Sequence, residues 1–260
     1  MNNIKFVTLT FLSLTFLIYN FQIFAKEKQN RPKVSVIIPL APGENIYKPL
    51  IQDLKTLPNN TEILFITNNQ DAANIKNSLQ FKENVQIITA PPGRAEHMNS
   101  GARVATGKYL WFLHADSRFQ QNSYNVLYKY LNHNPDSLLF FDLAFLNDAT
   151  PLMQLNEWGA LFRSRALGVP FGDQGFCIKK TIFNKLGGFP DNLPYGEDHV
   201  FVWRARQNGI NLQPLDAKIY TSARKYQKNG WFKTTILTQY LWIKQALPEW
   251  KRLKNSIKIS

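Results

Sequence analysis

Short apolar runs recur along the chain at residues 34–39, 62–67, 85–89, 109–113 and 138–145. Runs of this length, closed by Pro, Gly or polar clusters, predict strands. The run 109–113 shows no alternation of apolar and polar positions, so that strand is expected to be covered on both faces. Between the runs, apolar residues return at three- and four-residue spacing. Leu50, Leu54 and Leu57 predict a helix over 46–57, closed by Pro58. Met98, Ala102 and Ala105 predict a second, stopped by Gly107. Further helices are expected at 71–79, 123–131, 151–165 and from Glu197-Asp198 to Asn208-Gly209. Alternation of β and α at this spacing argues for a parallel sheet flanked by helices. After the fourth strand the alternation is no longer strict.

The chain has 260 residues, 44% of them hydrophobic, enough for one substantial core and one catalytic domain. No internal repeat, low-complexity tract or second-domain boundary interrupts it. The single cysteine, Cys177, excludes an intramolecular disulfide; in an apolar stretch it reads as buried filler rather than a catalytic thiol. The formal charge of +13 is unevenly spread, because residues 217–260 hold ten Lys and Arg against one acid, Glu249. That segment contains a helical pattern over 231–247. Phe232, Ile236, Leu237, Tyr240, Leu241, Ile243 and Leu247 fall on one side; Lys233, Thr234, Thr238, Lys244 and Gln245 fall on the other. With Trp231, Trp242 and Trp250, this suits a membrane surface. The plainer alternative is a C-terminal helix packed on the catalytic domain with a solvated lysine face. No nucleic-acid motif accompanies the charge, so nucleic acid is not expected as a partner.

Residues 6–24 are mostly apolar and long enough for one membrane span, though Thr8, Thr10, Ser13, Thr15, Asn20 and Gln22 interrupt them. The competing assignment is a signal peptide cleaved after Ala25, with Ile23 as an imperfect −3 residue. Lys26, Lys28, Arg31 and Lys33 follow the segment and only Lys5 precedes it, which keeps the domain on the cytoplasmic side. We therefore expect an anchor at 1–25, a linker at 26–33 and an inner-membrane location facing the cytoplasm, with export through a cleaved signal as the alternative.

The most informative stretch is 93–117. It reads as a loop beginning Gly93-Arg94-Ala95, a short helix containing Met98-Asn99 and Gly101-Ala102, and a strand followed by His114-Ala115-Asp116. Downstream come Gly172-Asp173-Gln174, Glu197-Asp198 and Thr221-Ser222-Ala223-Arg224. In this order, after the strand ending at Pro39, these pieces resemble the family 2 glycosyltransferases of the GT-A fold. The resemblance is narrower to the radical-SAM/selenodomain-associated transferases, where His-Ala-Asp stands in place of Asp-x-Asp. It spans roughly residues 33–255. It implies an α/β, GT-A-like single domain at 34–224: a mostly parallel central sheet flanked by helices, with a parallel nucleotide-binding half and a mixed acceptor half. Basic amphipathic helices follow at 225–260.

Sugar transfer from a nucleotide donor requires a neutralised leaving diphosphate, a deprotonated acceptor hydroxyl and a sugar held in line. Asp116 is the candidate ligand for Mg²⁺ or Mn²⁺, and His114 a candidate second ligand or ribose contact. Asp198 is the candidate general base, with Glu197 orienting the loop; as plain structure, two acids in a first helical turn favour the helix dipole. Arg94, beside Gly93, and Arg224 are candidate phosphate contacts. Pro39, Asn68, Asn99, Asp173 and Gln174 complete the expected nucleotide-sugar pocket, and Arg103 shares a helix face with Asn99.

The expected partners are a nucleotide-sugar donor, a lipid or polymer acceptor and a membrane surface. The chain departs from the family pattern in two places. Thr67-Asn68-Asn69-Gln70 stands where relatives carry an acid, and Glu44 is the one acid after the first strand. These departures keep two alternatives open, a catalytically silent glycan- or membrane-binding module and another phosphate-handling transferase on the same fold.

Overall fold

The computed structural model describes residues 34–43, 45–78 and 84–259; the expected anchor, the linker and Glu44 lie outside them. In chain order the strands are β1 (Val34–Pro39), β2 (Glu62–Thr67), β3 (Val85–Thr89), β4 (Tyr109–Phe112), β5 (Arg118–Phe119), β6 (Leu138–Phe145), β7 (Cys177–Lys179) and β8 (Leu212–Thr221). The helices are α1 (Lys48–Leu54), α2 (Asn69–Ser78), α3 (Arg94–Val104), α4 (Ser123–His133), α5 (Met153–Leu161), α6 (Lys180–Lys185), α7 (Glu197–Gln207), α8 (Arg224–Asn229) and α9 (Trp231–Ile259).

All eight strands join one sheet in the order β3-β2-β1-β4-β7-β6-β8-β5. The four strands β3 to β4 are mutually parallel. β7 then runs antiparallel to both β4 and β6, while β8 is parallel to β6 and antiparallel to β5. The sheet is therefore mixed, with a parallel half from β3 to β4 followed by a mixed half from β7 to β5, the division that the resemblance implies. The reversal comes from the short stretch Gly175-Phe176-Cys177-Ile178, which enters the sheet from the edge that the other central strands leave.

Both faces of the sheet are covered. Val36, Ile38, Trp111, Leu139 and Phe141 point to one side and pack with Leu50 and Leu54 of α1 and Leu127 and Leu131 of α4. Ile37, Leu64, Ile66, Phe112 and Phe176 point to the other and pack with Met98 and Ala102 of α3 and Phe201 and Val202 of α7. Burial on two faces explains why these strands read as continuous apolar runs. The expected helix at 151–165 is cut short. α5 ends at Leu161 and the next five residues form a π turn. There the Ser164 hydroxyl bonds back to the Ala160 carbonyl at 2.8 Å, a competitor to the regular ladder.

Helix α3 lies unusually close to the sheet, and Gly101 is the reason. A Cβ built at Gly101 would stand 2.5 Å from Ile37 Cγ2 and 3.0 Å from Ile66 Cδ1. Because α3 carries Arg94 at its start, this approach also sets how deep the site lies. Gly101→Val should therefore destabilise the fold by about 2 kcal/mol or more, overpacking outweighing a small gain in helix propensity. Urea unfolding should show a lower midpoint at an unchanged slope; an unaltered midpoint would contradict the close approach.

Candidate active site

Topology gathers the polar segments on one edge. The carboxyl ends of β1, β2, β4, β6 and β8 and the amino end of β7 all face it. Open α/β sheets place their ligands at such an edge. Leu113 still donates to the Ile37 carbonyl (3.0 Å), so the chain leaves the sheet only at His114. The turn His114-Ala115-Asp116-Ser117 is then closed by the Ser117 N–H on the His114 carbonyl, 3.0 Å.

From the other side, a short 3₁₀ turn, Gly172–Gln174, leads into β7. Gln174 anchors it from the interior: its amide donates to the Phe141 carbonyl (2.9 Å), and its Oε1 accepts from the Phe171 N–H (3.1 Å). The Gly172 N–H donates to Asp198 Oδ2 at 2.6 Å. A Cβ at Gly172 would lie 2.8 Å from that oxygen and 3.2 Å from His114 Nε2. Glycine is thus what lets the turn, the imidazole and the carboxylate meet.

Two arginines complete the centre. Arg94, the first residue of α3, hydrogen-bonds Glu197 through Nε, and its Nη2 lies 3.6 Å from Asp198 Oδ1. Arg224, opening α8, sits with Nη1 3.3 Å from Asp116 Oδ2. Its turn is held by Asp148, which accepts from the Ser222 hydroxyl (2.5 Å) and the Ala223 N–H (2.9 Å).

These side chains separate two adjoining cavities. The first, about 480 Å³, is lined by Pro39, Leu40, Gly93, Arg94 and His97 and reaches His114, Asp116 and Arg224. The second, about 390 Å³, shares Arg94, His114, Asp116 and Arg224 and extends to Asp173, Asp198 and a group of aromatic side chains. Phe171, His199 and Trp242 form that group, with ring centroids 5.6–6.5 Å apart.

The carboxyls and the imidazole respond differently to burial. Burial and the Arg94 charge hold His114 below the ordinary histidine value, against Asp116 and Asp198, so its ring is neutral. Burial pushes Asp198 up, but the Arg94 charge and the Gly172 N–H outweigh it, and the net shift is downward. Asp173 goes the other way. Burial raises it to about 6, Asp198 and Asp116 add to the rise, and Arg163 opposes it. Its Oδ1 is buried without a hydrogen-bond partner.

Of the residues expected from the sequence, Pro39, Arg94, His114, Asp116, Asp173, Asp198 and Arg224 line the paired cavities. Glu197 reaches them through Arg94. Asn68, Asn99 and Gln174 do not line them. Asn68 accepts from the Asp71 N–H (2.9 Å) at the start of α2, and Asp71 also takes the Gly43 N–H (2.8 Å). Asn99 makes both its bonds to the Phe189 backbone. Sequence reasoning missed His97, three residues beyond Arg94 on one helix face. It also missed Phe171, Tyr195 and Tyr226 and the contribution of α9, whose Gln245 donates to the Tyr195 carbonyl at 2.8 Å.

Among the described residues no three His, Cys, Asp or Glu side chains converge as a ready metal site. The pair present is one carboxylate and one neutral imidazole beside an open cleft. Such a pair fits a cation whose remaining ligands are phosphate oxygens and water, since Mg²⁺ commonly binds through one or two carboxylates plus substrate phosphates.

Comparison with known proteins agrees with this arrangement. Residues 35–187 match the family model described as "Glycosyl transferase family 2". A curated relative, an uncharacterized glycosyltransferase of Haemophilus influenzae, is 22% identical over 186 residues, covering 67% of this chain and 62% of the relative. Among solved structures, S. aureus TarS 1-349 superposes with a TM-score of 0.60 at 17% identity, covering 73% of this chain and 60% of that one. The same protein in complex with UDP-GlcNAc gives 0.59 at 18% identity, over 73% and 58%. The chain thus spans about three fifths of the length of these relatives.

The raised Asp173 makes stability depend on pH with a defined sign. Its folded pKa lies above its unfolded one, so the stability this group contributes is full below about pH 4 and lost as pH rises through about 6. Asp173→Asn should accordingly be more stable than the native chain at pH 8, by up to about 3 kcal/mol, and lose that advantage below about pH 4. Urea unfolding of both proteins across this range checks it; a difference that does not vary with pH would contradict the assignment.

Proposed function

The chain belongs to glycosyl transferase family 2, and on that premise we propose that it moves a sugar from a nucleotide-diphosphate donor to an acceptor hydroxyl. The observation that carries this reading is the wall of Arg94, His114, Asp116 and Arg224 shared by two cavities, with Asp198 on the far side. A donor in the first cavity would lay its nucleoside against Pro39, Leu40 and His97, and its diphosphate against Arg94, Asp116 and Arg224. The TarS complex with UDP-GlcNAc supports a donor of this class.

The acceptor enters from the second cavity. Its hydroxyl gives up a proton to the Asp198 carboxylate as its oxygen bonds to the anomeric carbon, and the carbon–oxygen bond to the diphosphate breaks on the opposite face. Attack from the side away from the leaving group inverts the anomeric centre. Asp116 and His114 would hold Mg²⁺ or Mn²⁺, which would supply charge to neutralise the departing diphosphate. Arg94 and Arg224 add fixed positive charge, and His114 stays neutral because burial and Arg94 disfavour its cation.

The acceptor in this reading is a lipid or a polymer at the inner face of a membrane. Two features support that location, the apolar N-terminal segment and the basic C-terminal region, which holds +9 of the net charge. Among the described residues no helix is long and apolar enough to cross a membrane.

A thermal-shift screen of nucleoside diphosphates with and without Mn²⁺ tests the donor side without an acceptor. We expect one of them to raise Tm only with the metal, by the mass-action gain of about 2.7 kcal/mol at a hundred times Kd. Asp116→Ala should lose the metal-linked part of the rise. Asp198→Asn should keep the rise but lower turnover of the matching nucleotide sugar, followed as nucleoside diphosphate release, by roughly 10²- to 10⁴-fold. Full turnover in both variants would rule out the mechanism.

A further inference from the structure

The amphipathic helix α9 turns a mixed side inward, where Leu241, Trp242 and the buried Ala246 stand beside its polar residues. Thr234 is buried, and Thr238 and Gln245 line the acceptor-side cavity. Outward stand Phe232, Ile236, Tyr240, Ile243, Leu247 and Trp250, spaced so that they form one stripe along the helix. Phe232 is 70% exposed. Water gives no reason for such an orientation, because each exposed apolar side chain forgoes burial.

A second apolar face adjoins it. Leu152, Leu155, Trp158 and Phe162 project from α5 and the turn after it, with Trp158 at 68% exposure. Among the described residues, thirteen of the fourteen large apolar side chains that stand exposed lie at 152–167 or 232–250. The two helices meet at Asn156, which accepts from the Trp231 indole (2.6 Å) and donates to Thr235 (3.2 Å). Between them opens a crevice of about 220 Å³, with Leu155, Trp231 and Gln239 at the helices and Asp173 within. It shares Phe145, Phe171, Asp173, Tyr226 and Thr238 with the acceptor-side cavity.

We propose that the outer faces of α5 and α9 form one surface that lies on an anionic lipid bilayer, and that the crevice between them opens the acceptor side of the cleft to that bilayer. Charge selects this occupant. Lys233, Lys244, Lys251 and Lys254 are exposed beside the α9 stripe, and Lys225 and Lys228 precede it. An apolar stripe with a lysine margin matches acyl chains below and anionic headgroups above. The proposal rests on the glycosyl-transfer reading for its substrate: the acceptor is then one carried on a lipid, and the polymer alternative falls away.

The native Cys177 is fully buried, so single cysteines placed in the full chain can be labelled selectively. An environment-sensitive fluorophore at Trp158→Cys, Ile236→Cys and Gln239→Cys, with Asn132→Cys on α4 as control, is titrated with phosphatidylglycerol-containing vesicles and with pure phosphatidylcholine. The anionic vesicles should shift emission at 158 and 236 to the blue, less so at high salt, and shield 239 from iodide; position 132 should not respond. A shift at 236 with none at 158 would mean that α9 docks alone and overturn the proposal. So would shifts that precede vesicle addition, which indicate a second copy on the face, or a 239 label still open to iodide. Any N-terminal tethering would not by itself desolvate position 158. A nucleotide thermal shift on the same samples reports the donor site separately, so docking and the transferase reading can fail independently.

Discussion

Arg94 is the contact on which the rest of the site depends. It joins the first turn of α3, from the parallel half of the sheet, to the first turn of α7, from the mixed half, by engaging Glu197 and Asp198. Both helices direct their amino ends at the same cleft, so both add partial positive charge there. Two buried acids on adjacent residues would repel each other and bear a desolvation cost. A guanidinium between them, with the Gly172 N–H on Asp198, makes the pair tolerable. The close fit of Gly101 against Ile37 and Ile66 brings Arg94 within reach. A packing detail in the core thereby sets an ionic geometry at the edge of the sheet.

The acceptor side is built by different means. α9 closes the second cavity with Thr238, Leu241, Trp242 and Gln245. Its remaining inward contacts include the buried Glu249, which accepts from Gln207 of α7 (2.9 Å) and from Arg252 (2.6 Å). Polar bonds and one small apolar cluster, Ala246 with Val169 and Trp203, fasten this helix, and its long apolar stripe is left outside. That economy makes sense only if the outer face has another function, which ties the shape of the cleft to whatever the helix rests on.

Much of the fold was legible from local pattern. β2, β3 and β6 have the expected bounds because strands buried on both faces leave uninterrupted apolar runs. The antiparallel insertion of β7 was not legible, since strand direction is a long-range property and three residues carry little of it. The site residues divide in the same way. Asp116, Arg94 and Asp198 stand out because charge just past a buried strand, beside Gly or at a helix start is a local signal. Asn68, Asn99 and Gln174 read alike in the sequence, yet they spend hydrogen bonds on bracing the chain: Gln174 on the Phe141 carbonyl, Asn99 on the Phe189 backbone, Asn68 on the Asp71 N–H and carboxylate. A polar residue that braces a loop and one that meets a ligand look alike until partners are counted. The aromatic wall was invisible because Phe171, His199 and Trp242 are remote from one another in sequence, whereas His97 lies one helical turn beyond Arg94 and was open to a helix-face count.

The two carboxyls of the acceptor side, Asp198 and Asp173, are pushed in opposite directions by one environment, and in other enzymes such divergence separates acid and base roles. In the unliganded cleft Asp198 is held low chiefly by Arg94, which makes it a poor proton acceptor. Arg94 and Arg224 are also the cations best placed to meet an incoming diphosphate. An anion that draws Arg94 toward itself weakens the charge on which Asp198 relies, and burial, the largest single influence on that carboxyl, then raises its proton affinity. Strengthening of the base would thus follow from donor binding and need no movement beyond that of the Arg94 side chain. On this logic the same arginine keeps the empty site stable and lets the filled one react, and Arg94 could not be replaced by a neutral side chain that merely filled its volume.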